Sequence, residues 1–229
     1  MCGRNRVPIW KRRPKLCFLV LPILGWIAWT QWRNLPHYAA HWGNIELLMF
    51  LRNLEGPGIV DRRWVTLMEY NRGMTPLGAA AFAGEVDAMR FLLGIGADPN
   101  AMTATNDRSI LVLAMAGPRD AEALGVLLDA GANTSTFRNS NAIGLAHGWS
   151  RSDFQEVATI LVENGVDINE PRVLRTAIQW GDLDQLRVLL ELGADPALVD
   201  ARGRSNLSYA ESHFSHKPEI VELLREYAN

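Results

Sequence analysis

The sequence predicts an all-α solenoid of about six helix–turn–helix repeats, preceded by an N-terminal transmembrane helix. Three observations predict it. A small-residue helix, a glycine, an apolar-striped helix and a Gly-Ala-Asp-like exit recur at a spacing of about 33 residues. Each copy carries an apolar stripe that it cannot bury alone, so copies must stack. Finally, residues 16–32 (LCFLVLPILGWIAWTQW) hold no charge and follow directly on six basic residues.

Charge divides the chain in two. Residues 1–32 contain Arg4, Arg6, Lys11, Arg12, Arg13 and Lys15 and no acid, whereas the body from Arg33 onward has 17 basic and 25 acidic residues. A net-acidic body argues against general nucleic-acid binding, which needs lysines and arginines to neutralise phosphates. Cys2 and Cys17 both lie in the basic head. The body therefore has neither a disulfide nor a thiolate metal site open to it.

The head is expected to be a basic cytoplasmic segment over residues 1–15 and a signal-anchor over residues 16–32. As a helix the uncharged run would be about 26 Å long, close to the hydrocarbon thickness of a bilayer. Pro22 is tolerable in a membrane helix, and Trp26, Trp29 and Trp32 gather at the distal end, where headgroups lie. A cleaved signal peptide fits less well, because Trp26 precedes Ala28 where a small residue is wanted. A buried core helix is the remaining alternative, and a repeat domain has nowhere to bury a helix on all sides. Only Arg33 and Arg52 follow the run closely, so the N-terminus should stay in the cytoplasm. In a bacterial cell this gives a single-pass inner-membrane protein with a periplasmic repeat domain over residues 34–229.

Within the body, Leu35–Asn44 and Ile45–Leu51 read as the first helix pair, followed by an excursion over Asn53–Arg72 that contains Arg62-Arg63-Trp64. A connection of that length is unusual in a compact domain and is a candidate functional loop. Gly73–Ala101 (GMTPLGAAAFAGEVDAMRFLLGIGADPNA) is the best-formed copy. Thr75 is placed to cap a helix and Pro76 to occupy its first turn. Ala79, Ala80, Ala81 and Ala83 allow neighbours to approach closely, and Gly84 and Gly96 are positioned to end helices. Worn copies follow at Ser109–Asn133, at Asn141–Asn169 and at Arg172–Asp195, where Leu183, Leu186, Leu189 and Leu190 form a stripe. Small insertions near Pro118 and around Ser150 lengthen two of them. The last copy, Ser205–Leu224, should be a cap, with Glu219, Glu222, Arg225 and Glu226 facing water.

These residues resemble the ankyrin repeat. Thr75-Pro76-Leu77, Ala80-Ala81, Gly84 and Gly96-Ala97-Asp98-Pro99-Asn100 all fall at that family's spacing, although Gly78 stands where the family usually has His. The resemblance covers about residues 34–229 and implies a protein-binding module contacting its partner through hairpin tips and the exposed side of the first helices. On this chain that points to Trp42, Phe82, Trp149 and Trp180, each beside a helix-closing glycine, because large aromatics make effective binding hot spots. Tip candidates are Asn71, Arg72, Asn106, Arg108, Arg138, Asn139, Arg202 and Arg204.

No catalytic arrangement is visible. His37, His41, His147, His213 and His216 form no His-Glu-x-x-His or Cys-rich metal pattern, and there is no nucleophile elbow or phosphate loop. The expectation is a non-enzymatic module without cofactor or metal, held to the membrane by Leu16–Trp32 and facing another protein. Three uses fit: an immunity protein neutralising a toxin, an envelope scaffold for a partner enzyme, or a host-directed effector. An enzyme built on the repeat scaffold and a purely structural membrane-tethered repeat are further alternatives.

Overall fold

Helices begin where a short polar side chain can accept a free backbone N–H, and this chain supplies one at most of the described starts. In the computed structural model, described here for residues 32–63, 73–103, 108–118, 120–135, 150–200, 202–214 and 217–228, Thr75, Ser109, Ser150 and Ser205 each accept the backbone N–H three residues on. Asn44 and Asp182 cap other helices in the same way, and Asp120 caps another by accepting the N–H of Glu122, two residues on. Residues 32–41 are helical (α1). There follow α2 (Ile45–Glu55), α3 (Pro76–Ala83), α4 (Val86–Gly94), α5 (Ile110–Ala116) and α6 (Ala121–Asp129). The series continues with α7 (Arg151–Glu163), α8 (Pro171–Trp180), α9 (Leu183–Glu191), α10 (Asn206–His213) and α11 (Pro218–Ala228).

The second helices of successive repeats pack in one row, α2 on α4, α4 on α6, α6 on α7, α7 on α9 and α9 on α11. First helices form the other row, with α3 against α5 and α8 against α10. Between the rows runs one apolar core, continuous from Ala39 to Leu224. In α9 the expected stripe is buried at Leu186, Leu189 and Leu190, joined by Val188, while Leu183 in the first turn is exposed. The last helix shows its charges outward as expected: Glu219, Glu222, Arg225 and Glu226 are exposed and Ile220, Val221, Leu223 and Leu224 are buried.

Asparagines at the turns stitch the stack together. Asn100 donates to the carbonyl of Gly131 at 3.1 Å and accepts the N–H of Asn133 at 2.7 Å, and Asn169 accepts the N–H of Asp195 at 2.8 Å. The same turns close on themselves through Asp98, Asn133, Asp167 and Asp195, each accepting the N–H two residues on.

The stretch around Ser150 opens α7, which begins at Arg151 and buries Phe154 a turn before Val157; its 13 residues exceed the 9 of α4, α6 and α9. One boundary differs from expectation. The excursion after Asn53 starts later, because α2 runs on to Glu55 and a 3₁₀ turn (Pro57–Ile59) buries Ile59. Beyond it Arg62 pairs with Glu55, and Arg63 donates to the carbonyls of Gly73 (3.0 Å) and Met102. Those two arginines fasten the segment to the next repeats; Trp64 and residues 65–72 lie outside the described region. So does the signal-anchor expected over residues 16–32, apart from Trp32. Among the described residues no helix is long and apolar enough to cross a membrane.

His37 completes this fastening. It is fully buried on α1, and its Nε2–H serves the carbonyls of Arg62 (2.9 Å) and Met74 (3.0 Å). Burial pushes the imidazole from its ordinary 6.5 down to about 4, with the nearby Arg62 charge adding to the effect against its hydrogen bonds. Between those values the unfolded chain takes up a proton that the folded chain refuses. Stability is therefore complete above pH 6.5 and falls as pH drops toward 4, by up to about 3 kcal/mol. Urea unfolding of wild type at pH 7 and pH 4.5 should show this loss beyond that of the His37→Asn variant; an equal loss in both would assign it to other groups.

Candidate functional site: an aromatic groove across the first three repeats

The ends of three first helices come together. His41 and Trp42 close α1, Phe82, Ala83 and Glu85 surround the end of α3, and Ala116, Gly117 and Pro118 follow α5. Together they line an open, mainly apolar groove of about 430 Å³. Trp42 is 74% exposed, the most accessible large hydrophobic described in the chain, and the His41 ring meets it edge-on at 5.3 Å. A tryptophan held out in water beside an apolar groove offers a large contact area that binding would desolvate.

Glycines let these three repeats approach so closely. Gly84 takes the left-handed conformation (φ 75°) that closes α3, and a Cβ there would come within 2.9 Å of the Pro118 ring. Gly117 has an ordinary negative φ, and its constraint is space: a side chain would run into the backbone carbonyl of Phe82. The insertion expected near Pro118 is thus a tight turn that forms one wall of the groove.

The expected site residues separate by environment. Trp42 and Phe82 share the groove. Phe82 is half-buried and packs on the core, so it is as much a structural side chain as a contact residue. Trp180, 44% exposed at the end of α8, is not part of that groove. Trp149, Asn71, Arg72, Asn106, Arg138 and Asn139 lie outside the described residues. Of the tips, the Arg108 N–H donates to the Thr103 hydroxyl at 3.2 Å and its carbonyl accepts the Thr103 N–H at 3.0 Å, beside the isolated pairing of Met102 with Ser109.

Arg202 and Arg204 are exposed, but Arg204 is also part of a polar cluster that sequence reasoning missed. Asp200 accepts the N–H groups of Arg202 (2.8 Å) and Arg204 (3.0 Å) and pairs with the side chains of Arg204 and Arg175. The Arg204 N–H is the main reason its carboxyl sits at about 2. Arg175, reaching from α8, also meets Asn206 at 3.3 Å and lies over the Tyr209 ring at 4.6 Å. This cluster joins the fifth repeat to the last. Asp200 had a local signal in its Asp-Ala-Arg-Gly turn, but nothing local marks Arg175 as its partner.

Among the described residues no set of His, Cys, Asp and Glu is arranged to hold a metal ion. His213 stacks on Tyr209 at 4.4 Å, and His37 is committed to carbonyls.

Two substitutions separate scaffold from contact. Trp42→Ala should leave the melting temperature nearly unchanged, whereas Phe82→Ala should cost about 1–2 kcal/mol, scaled down from a full core deletion for its partial exposure. Gly117→Ala should cost about 1–3 kcal/mol by overpacking against the Phe82 carbonyl. Thermal denaturation checks all three, and a large loss for Trp42→Ala would mark that side chain as core.

Comparison with known proteins agrees with this architecture. Residues 72–104 match the family model described as "Ankyrin repeat". Alpha-latroinsectotoxin-Lt1a of Latrodectus tredecimguttatus is 33% identical over 95 residues, 42% of this chain. The chain spans only 6% of that relative's length. Among solved structures, the human ASB11 ankyrin repeat domain is 24% identical, with a TM-score of 0.59 over 85% of this chain and 83% of that one. The ankyrin repeat domain of Bcl-3, a member of the IkappaB protein family, is also 24% identical, with a TM-score of 0.64 over 84% of each chain. The chain thus has the ankyrin-repeat fold, and its second repeat matches the family's own pattern.

Proposed function

We propose that this chain is a protein-recognition module whose partner docks in the groove headed by Trp42. The observation that carries this is the pairing of a 74%-exposed tryptophan with an apolar, preformed groove built by three repeats. Stacking fixes the groove in advance, so a partner would pay little to order it. Lateral contacts at Trp180, Arg202 and the tips outside the described region would widen the footprint along the same row of first helices.

The setting we propose is extracytoplasmic: residues 16–32 tether the chain to the inner membrane, with the repeats on the periplasmic side. The support is the six basic residues before that run and the near absence of basic residues just after it. A module in this position is suited to intercepting a toxin as it reaches the membrane, the use we favour. Holding an envelope enzyme beside the bilayer is the alternative.

A photo-crosslinking residue at position 42 in the full chain should trap a discrete partner in cells, and one at Glu219 should not. Trp42→Ala should weaken binding of the trapped partner by roughly thirtyfold, as expected of a hot spot. Equal crosslinking at both positions would overturn the groove. A reporter that folds only outside the cytoplasm, fused after Asn229, should be active; activity of a cytoplasm-only reporter instead would overturn the topology.

A further inference from the structure

The two ends of the solenoid are finished differently. At the C-terminal end α11 presents Glu219, Glu222, Arg225 and Glu226 to water. At the N-terminal end α2, which among the described helices packs on one neighbour in its row, presents Met49, Phe50 and Leu54, exposed by 51, 58 and 57%. A terminal repeat needs a polar outer face to remain in water. In the first repeat exposed Glu46, Arg52 and Asn53 are interrupted by these three apolar side chains.

The position of this apolar face along the chain indicates what covers it. Residues 42–44 reverse the chain between α1 and α2, so the C-terminal half of α2 returns beside the start of α1. Counting outward from that turn, Leu54 comes level with Trp32, itself 48% exposed. Trp32 is also the last residue of the uncharged run 16–32. Chain leaving a bilayer there would enter α1 with no linker. Glu46, the exposed acid of α2, sits at the far end of the helix, while Arg52 is exposed near its root.

We propose that the outer face of α2, at Met49, Phe50 and Leu54, lies in the headgroup–acyl boundary of the bilayer and caps the first repeat with lipid. Arg52 reaches the phosphates. This rests on the membrane tether proposed above. A second copy of the chain is the poorer occupant, because a few half-exposed side chains fall short of the roughly 800 Å² per partner that a stable protein interface buries. A lipid contact needs no such area when the tether already holds the face at the membrane. Docked this way, the solenoid is fixed by both a spanning segment and a surface contact, and its groove is held at a set height above the membrane.

The test uses the full chain with Cys2→Ser and Cys17→Ser, carrying a single fluorophore-labelled cysteine at Phe50→Cys or Glu219→Cys. It is reconstituted in vesicles of phosphatidylcholine and phosphatidylglycerol. Both sites are exposed, and circular dichroism confirms that the variants fold. Dissolved iodide should quench the label at 219 at least about threefold more than the label at 50, and shallow nitroxide lipids should quench only the label at 50. Equal iodide quenching at both positions would overturn the proposal. So would protection at position 50 without lipid quenching, accompanied by energy transfer between differently labelled copies. Flotation after an alkaline carbonate wash separates the two readings: a chain that fails to float sinks the tether and this inference with it. A chain that floats with position 50 open to iodide sinks this inference alone.

Discussion

Among the described residues, the second helices are buried by their neighbours in the stack. Each apolar stripe has two flanks, and the helix before and the helix after must cover them, so the single core from Ala39 to Leu224 exists only because the copies are stacked. The rest of the architecture follows from making that stacking close and regular. Small first helices such as Pro76–Ala83 permit the approach, and Gly84 and Gly117 remove the Cβ atoms that would prevent it. Asn100 and Asn169 lock the register at the turns. The groove at Trp42 is a by-product of the same geometry, being the space left where three closely packed helix ends meet.

The described polar groups inside the stack join repeats. His37 holds the segment after α2 to the start of the second repeat, Arg63 reaches on to the third, and Arg175 with Asp200 ties the fifth repeat to the last. Each such group is partly or wholly removed from water and therefore needs partners. Those partners are in adjacent repeats, which turns a cost of burial into a preference for one register.

How much of this was legible depended on how local the cause was. Thr75 and Pro76 act within their own turn, and the structure has them capping and opening α3 as their types dictate. The α7 start was equally local, since Ser150 accepts from Asp153 three residues on, but the repeat spacing drew attention to Val157 instead. Trp42 and Phe82 looked equivalent because both stand beside a closing glycine. Their exposures differ because Phe82 has a repeat on each side and Trp42 stands at the end of the stack, a matter of neighbours and not of sequence context. His37 and Arg175 were the least visible: their partners lie 25 or more residues away, and no spacing rule links them.

Because the packing between helices runs mainly from one repeat to the next, the solenoid also offers a load path. On the proposed docking and tether, a pull on a partner seated against Trp42 would enter the chain at α1 and leave it through the segment just before α1. The three repeats that form the groove carry that tension; the later ones, up to the charged face of α11, are off the line of force. The fastenings at His37, Arg62 and Arg63 lie in the loaded part, where they clamp the first repeat to its neighbours, so the stack resists peeling at the end where peeling would start. The C-terminal repeats are free to brace the groove from behind without bearing any of the pull.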